Sequence, residues 1–225
     1  MSVKFCKTGV VSTNAFSNSI PIQDMQTKVL DDNSVWALIF EQNSKNGTVL
    51  FSSINEVMNT QTADKYSRFN LLDNNSFKAI TDGKYEFMLC YPDNTDKYNR
   101  WRQTNNPCNE YKGNDDASLT ADGYEAVSIA WTSNYWGGLT RQNEDKTTIN
   151  RTFISGSVGS SAWYYAIGTF IAWNDGMPAC TDLTGGNTIG ITGRVQLWVR
   201  IDNTNATDGF KIYDKCIIAK DFIEI

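Results

Sequence analysis

The sequence has no histidine among its 225 residues. Histidine is the commonest general base and a common zinc ligand, so its absence excludes Ser-His-Asp and Cys-His catalysis. The chain also lacks any cluster of Lys and Arg, and its net charge of −5 argues against a phosphate-binding face. We therefore expect no enzyme activity, no catalytic residue, no cofactor, no metal and no nucleic-acid partner.

Long hydrophobic runs are also absent. No segment approaches the roughly 20 apolar residues that a membrane helix needs, so we expect no membrane insertion. The first thirteen residues lack the apolar run and small-residue cleavage site of a secretion signal, which predicts synthesis in a reducing cytoplasm. The five cysteines are widely spaced and odd in number. We interpret them as reduced, small hydrophobic residues, with a Cys90–Cys108 disulfide as the alternative.

Aromatic residues and turn formers dominate what is present. Aromatics make up 12% of the chain, and Asn, Asp, Ser, Thr and Gly separate short apolar or alternating runs. This regular spacing of turn residues and short apolar runs predicts an all-β sandwich or barrel. Gly137-Gly138 and Gly185-Gly186 are interpreted as loop turns, and the Ser53–Met58 segment has the spacing of a capped helical turn. The predicted strands are Val35–Phe40, Val49–Phe51, Tyr85–Tyr91, Asn99–Gln103, Ala126–Trp131, Trp163–Gly168 and Val195–Ile201.

A similar short pattern occurs at both ends of the chain. Val3 to Ser12 and Phe210 to Ala219 both read apolar, Lys, apolar, a four-residue turn, two β-branched residues and a small one. This pattern is typical of a β-hairpin, which is marginally stable alone and leaves strand edges unpaired. We therefore predict an amino-terminal β arm over residues 1–20 and a carboxy-terminal one over 210–225. The domain lies between them over 21–202, and the polar segment 203–209 is a linker rather than a Ca²⁺ site.

Seven internal motifs stand out in the central part of the chain: Asp82–Leu89, Tyr91-Pro92, Asn99–Pro107, Asn134–Leu139, Gly159–Gly168, Trp173–Pro178 and Leu197–Asp202. Together they resemble a lectin-like β domain of gut-bacterial phages and prophages, seen in predicted fibre or virion-surface proteins. The resemblance covers Trp36 to Asp202 and implies a jelly-roll or lectin-like β-sandwich.

The carboxy-terminal arm has a resemblance of its own. Residues 211–225 are similar to a short terminal segment of phage tail- and head-fibre proteins, although Cys216 stands where that segment has Gly. Glycine tolerates a positive φ and cysteine does not, so the turn differs there. The resemblance implies a virion structural protein, a fibre or head-decoration component that is made in the bacterial cytoplasm and located in the virion.

Assembly is predicted to occur through the arms. An isolated arm buries too little apolar area to offset its ordering entropy, whereas arms pooled around a threefold axis bury their apolar residues together. We therefore expect a homotrimer that contacts other virion proteins. The arm residues concerned are Phe5, Val10, Val11, Ile212, Ile217 and Ile218.

The dense aromatic segments allow two interpretations. Trp136, Trp163, Tyr164, Tyr165 and Trp173 either fill a core or form a platform on which sugar rings stack. The second interpretation predicts a carbohydrate-binding adhesin for host-surface or mucus glycans, with oligomerisation supplying avidity. The candidate glycan-binding residues are Trp136, Tyr164, Trp173 and Arg141.

Overall fold

The computed structural model describes most of the predicted domain. Both predicted arms and residues 205–209 of the predicted linker lie outside the described residues. The described ranges are 25–44, 50–113, 119–133, 135–146, 151–158, 163–173, 176–183 and 190–204.

The described part consists mostly of short strands. Its single α-helix is α1 (Ile54–Met58), and two 3₁₀ helices cover Phe69–Asn74 and Thr181–Leu183. The strands are β1 (Thr27–Val29), β2 (Val35–Asn43), β3 (Thr60–Gln61), β4 (Lys65–Ser67), β5 (Tyr85–Cys90), β6 (Tyr98–Gln103), β7 (Glu125–Ile129), β8 (Trp136–Arg141), β9 (Thr152–Ser157), β10 (Ile167–Thr169), β11 (Met177–Pro178), β12 (Ile191–Thr192) and β13 (Arg194–Arg200).

These strands form three antiparallel sheets. The largest has the order β3-β4-β2-β13-β5-β6-β7, with β1 pairing along the first part of β2. A second sheet has the order β10-β9-β8, and β11 pairs with β12. The all-β prediction is therefore confirmed, while the jelly-roll arrangement stays a prediction.

Strand β13 lies in the middle of the large sheet and follows the predicted alternation. Val195, Leu197 and Val199 belong to the main core, whereas Trp198 belongs to a smaller cluster on the opposite face. Successive side chains of a strand point to opposite faces, which is why one strand serves both clusters. The alternating pattern in the sequence was therefore sufficient to assign both faces.

The main core joins the large sheet to the three-stranded one. Phe87 and Leu197 come from the large sheet, and Leu139 and Phe153 come from the smaller sheet. The buried side-chain amide of Gln42 also joins the two sheets by hydrogen bonds. Its Nε2 donates to the Thr169 carbonyl at 3.2 Å, and its Oε1 accepts from the Thr169 N–H at 3.0 Å. Such a paired contact fixes the position of β10 against β2 without leaving the amide unsatisfied.

A carboxylate occupies the opposite face of the large sheet. The Glu86 side chain is 1% exposed and contacts three arginines, Arg100 at 2.5 Å and Arg102 and Arg200 at 3.3 Å. Each arginine also contacts an outer aspartate, at 2.7 to 3.2 Å. A buried carboxylate is tolerable only when it is paired in this way. The outer aspartates are Asp32, Asp82 and Asp202.

Strand β7 forms one end of the large sheet and is exposed on both faces. Glu125 through Ser128 are exposed, and Val127 is 42% exposed. The pairing with β6 shifts register between Arg100 and Trp101, which marks a bulge. The predicted Ala126–Trp131 strand is confirmed, but it is an edge rather than a core strand.

The capped helical turn is confirmed. Ser53 is the N-cap of α1, and its Oγ accepts from the Glu56 N–H at 3.2 Å. The Glu56 carboxylate in turn accepts from the Ser52 N–H at 2.6 Å, which satisfies a second donor at the helix start.

Two strand predictions were wrong. Residues Trp163 to Tyr165 form a turn, and the strand begins only at Ile167, because Tyr165 has a φ of 57°, which is the left-handed conformation that a residue with a side chain rarely adopts within a strand. Leu50 and Phe51 belong to no strand, although the Phe51 N–H donates to Thr169 O at 2.9 Å.

The interpretation of the first glycine pair as a turn was also wrong. Gly137 and Gly138 lie within β8. A Cβ at Gly137 would lie 2.3 Å from Val158 Cγ1, and Gly138 has a φ of 87°. Close packing and a positive φ therefore require glycine here.

The described cysteines behave as small hydrophobic residues. Cys90, Cys108 and Cys180 are buried free thiols, so the Cys90–Cys108 disulfide is absent. Cys6 and Cys216 lie outside the described residues. Burial raises the pKa of the Cys180 thiol to about 12, which keeps it protonated at neutral pH.

Candidate functional site

The structure divides the aromatic cluster into core and surface residues. Trp136 is 8% exposed and packs edge-on against Trp101 and Tyr165, with ring centroids 4.8 and 4.7 Å away. A Cβ at Gly156 would lie 2.3 Å from Trp136 Cζ3, so the indole fills the space that this glycine leaves. Of the two interpretations, core packing therefore applies to Trp136, whose ring offers no open face to a sugar.

Tyr165 is also a core residue. Its side chain is fully buried, and its hydroxyl donates to the Ser133 carbonyl at 2.7 Å. Burial raises the pKa of this phenol, so it stays a hydrogen-bond donor at all ordinary pH values. The ring and the hydroxyl are both occupied within the fold.

Trp163, Trp173 and Arg151 form a different group, which we call the Trp–Arg cluster. All three residues are half-buried. The indole centroids lie 5.0 Å apart at an interplanar angle of 65°. Arg151 Cζ lies 3.8 Å from the Trp163 centroid and 4.7 Å from the Trp173 centroid, so one guanidinium contacts both rings. Cation–π contacts of this kind hold a charged group against flat aromatic surface.

Three separate segments bring the Trp–Arg cluster together. Arg151 directly precedes β9, and its carbonyl accepts from the Phe170 N–H at 2.8 Å. Trp173 and Gly176 exchange two backbone hydrogen bonds of 3.0 Å, which hold Trp173 in place. Trp163 is supplied by the turn that precedes β10. Each side chain is thus positioned by backbone hydrogen bonds or a turn.

Arg151 carries an unusual charge environment for an arginine. It forms no ion pair with any carboxylate in the described part of the chain. Its Nη1 donates one long hydrogen bond of 3.4 Å to the Ala172 carbonyl, and its buried Nε has no acceptor among the described residues. Burial lowers the pKa of Arg151 from its usual value.

Arg141 has other neighbours. Its guanidinium lies 3.7 Å from the Glu144 carboxylate and 5.1 Å from the Tyr111 ring. The structure gives it no contact with the Trp–Arg cluster. Its charge is already matched by Glu144, which leaves it a weaker candidate for binding an external group than the sequence suggested.

Tyr164 has an intermediate position. It is half-buried and packs partly on the main core, and its carbonyl accepts from Ser155 Oγ at 2.8 Å. Of the four residues proposed from the sequence, only Trp173 belongs to the Trp–Arg cluster. Trp163 was recognised as part of the aromatic group, but Arg151 was missed because nothing in its local sequence links it to two distant tryptophans.

A polar pocket of about 280 Å³ lies elsewhere on the surface. Asp73 Oδ1 accepts from Asn106 and Asn109 at 2.9 and 2.7 Å, and Lys78 Nζ lies 5.2 Å from the Tyr85 centroid. The Tyr85 hydroxyl donates to the Leu72 carbonyl. These polar groups satisfy one another, so the pocket is a rigid, hydrophilic depression. It is lined by Leu72, Asp73, Asn75, Lys78, Tyr85, Thr104, Asn105, Asn106 and Asn109.

Neither a metal-binding cluster nor a membrane-spanning helix is found among the described residues. Among them, no group of three or more His, Cys, Asp or Glu side chains is placed to hold a metal ion. No helix in the same ranges is both long enough and apolar enough to cross a bilayer.

Comparison of the chain with family models, with curated proteins and with solved structures gave no match. The described residues define an all-β protein with an aromatic and cationic cluster at its surface.

Proposed function

We propose that the chain is a structural protein of a bacteriophage virion, a fibre or head-decoration component that assembles through its terminal β arms. The observation that carries the proposal is the similar hairpin pattern at both ends of the chain. The similarity of residues 211–225 to a terminal segment of phage fibre proteins supports it. The antiparallel, almost helix-free body between the arms is consistent with a rigid knob on such a fibre.

Assembly follows from the energetics of the arms. A short hairpin gains too little from its own contacts to overcome the cost of ordering its backbone. Burying Ile212, Ile217 and Ile218 against the same residues of neighbouring copies supplies the missing apolar contact. The arms are therefore proposed to order as the oligomer forms, with three copies meeting around one axis.

Removing residues 210–225 is expected to convert the oligomer into monomers, because the apolar contacts between copies are lost. Light scattering coupled to size-exclusion chromatography measures the change in mass. A triple variant in which Ile212, Ile217 and Ile218 are replaced by Ser is expected to act like the deletion. Its matched control replaces Lys211, Asp214 and Lys220 with Ser, and this variant is expected to stay assembled. An oligomer that survives the deletion would refute assembly through this arm.

Carbohydrate binding is a second proposed function of the same protein, and the Trp–Arg cluster favours it. Sugar rings stack their C–H faces on exposed aromatic rings while polar groups bind the hydroxyls. Trp163 lies in a turn, and Trp173 is held by its backbone hydrogen bonds with Gly176; both are half-buried and still reach the surface. A trimer would present three such sites, which makes a weak single site useful.

Replacing Trp173 with alanine is expected to weaken glycan binding about tenfold, since one stacking surface is lost. A glycan array with the intact protein identifies the ligand, and titration of the variant with that ligand gives the ratio of affinities. Tyr111→Ala is the control, because Tyr111 is 48% exposed and lies beside Arg141 instead. If the intact protein binds no glycan on a broad array, or if both variants lose the same affinity, this function is not supported.

A further inference from the structure

The Trp–Arg cluster indicates which class of glycan the site takes, and this inference rests on the proposed carbohydrate-binding function. We propose that the saccharide bound there carries a carboxylate, and that Arg151 binds this carboxylate beside the two indole rings. The ligand class is therefore an acidic sugar, such as a uronic or sialic acid.

The first argument is the missing counter-charge of Arg151. Arg100 and Arg200 of the same protein are each held by two carboxylates at 2.5 to 3.3 Å. Arg151 has none in the described residues, although it is half-buried. A guanidinium that is withdrawn from water without a partner carries a free-energy cost, and a ligand carboxylate removes that cost.

The second argument is geometric. A guanidinium is planar and presents its five N–H donors in one plane. Its contacts with Trp163 and Trp173, with Cζ 3.8 and 4.7 Å from the centroids, are made to aromatic rings, which use none of these donors as hydrogen bonds to an acceptor atom. Only the 3.4 Å bond to the Ala172 carbonyl uses a donor within the described chain. The remaining terminal donors are left for an external acceptor, and a carboxylate matches their spacing.

The third argument is the combination of charge and flat apolar surface in one place. A simple inorganic anion would use Arg151 but would gain nothing from the indoles. A neutral sugar would use the indoles but would leave the guanidinium unpaired. An acidic sugar has both a C–H face for stacking and a planar carboxylate, so it uses all three side chains.

The net charge of the chain makes the prediction more specific. With a net charge of −5, the protein as a whole repels polyanions at low ionic strength. Binding of an acidic sugar must then come from the local contact with Arg151 rather than from a general positive field.

The test uses the full-length protein and pairs of ligands that differ only in charge. Sialyllactose and a uronic-acid oligosaccharide are each compared with their methyl esters by calorimetric titration. We expect at least one acid to bind about tenfold more tightly than its ester, which is the effect of one charge-assisted hydrogen-bonded pair. Arg151→Gln is expected to abolish this difference between acid and ester.

Two further variants control the interpretation. Arg151→Lys keeps a positive charge without the planar donors, and it is expected to retain part of the preference for the acid. Arg141→Gln changes an arginine that already has a carboxylate partner, and it is expected to leave the preference intact. Thermal unfolding of each variant checks that the fold is retained.

The outcomes separate the inference from the function on which it rests. Equal binding of acid and ester, or a preference that depends on Arg141 instead of Arg151, overturns the inference while carbohydrate binding stands. A sulfated sugar that binds more tightly than every carboxylated one overturns it as well. If only neutral glycans bind, carbohydrate binding stands and the inference of a carboxylated ligand is refuted. If no glycan binds, carbohydrate binding and the inference are both refuted.

Discussion

Replacing Trp136 with alanine is expected to lower the free energy of unfolding by about 3–5 kcal/mol. The indole lies between Trp101 and Tyr165 and fills the space above Gly156, so its loss leaves a cavity that no neighbour can close. Chemical denaturation followed by fluorescence measures the change. Because Trp136 is 8% exposed, this variant loses stability whether or not the protein binds a glycan.

The matched control is Trp173→Ala, which removes the same side chain from the surface. Trp173 is half-buried and contacts Trp163 and Arg151 rather than the main core, so a loss of about 1 kcal/mol or less is expected. A loss as large as that of Trp136→Ala would show that the Trp–Arg cluster is part of the structural core. Binding experiments should therefore use the Trp173→Ala variant, because a loss of binding in the Trp136→Ala variant would reflect unfolding.

Replacing Glu86 with alanine is expected to cost about 3 kcal/mol of stability. The carboxylate is 1% exposed and contacts Arg100, Arg102 and Arg200. Its removal leaves three positive charges close together without the negative charge that they share. The outer aspartates keep each arginine partly paired. The expected loss of stability is therefore at the lower end of the range for a broken buried ion pair. Denaturant titration at low salt and at 1 M NaCl gives the measurement.

Glu125→Ala provides the comparison for this experiment. Its side chain is 50% exposed and contacts Lys84 at 3.3 Å and Arg102 at 3.8 Å. An exposed pair contributes about 0.5 kcal/mol or less, and salt screens it. The Glu86 effect should persist at 1 M NaCl, because buried charges are screened far less. Similar losses for the two variants would mean that the Glu86 network is no more than a set of surface pairs.

The strands of the large sheet were the most predictable part of the fold. Strands β2, β5, β6 and β13 contain long apolar or alternating runs, and each was located within a few residues. Their pattern is local, because side chains on alternate sides of one strand meet different environments. The pairing order was not predictable, since it depends on contacts between residues far apart in sequence.

The smaller sheet was missed because its residues resemble loops. Strand β8 contains two glycines, and β9 reads Thr, Phe, Ile, Ser, Gly, Ser, yet every residue of β9 is buried. The burial of these small polar residues comes from neighbours such as Trp136, whose ring requires Gly156 beneath it. A local pattern of hydrophobicity cannot reveal a strand that is buried by tertiary contacts.

The candidate site was predicted only in part, for a related reason. Trp163 and Trp173 were noticeable because tryptophan is rare and the two lie close in sequence. Arg151 is twelve residues from Trp163 and has no distinguishing neighbour, so only the packing of three segments identifies it. Arg141 was chosen in its place, and the nearby Glu144 shows why charge alone is a poor guide.

The free edge at β7 has a consequence for crowded copies of the protein. Its bulge interrupts the regular spacing of backbone donors and acceptors, and Glu125 adds a negative charge beside it. A second molecule approaching this edge meets a distorted template and an equal charge, both of which discourage continuous growth from sheet to sheet. The exposed edge of the large sheet is thereby protected against pairing with the same edge of a second molecule.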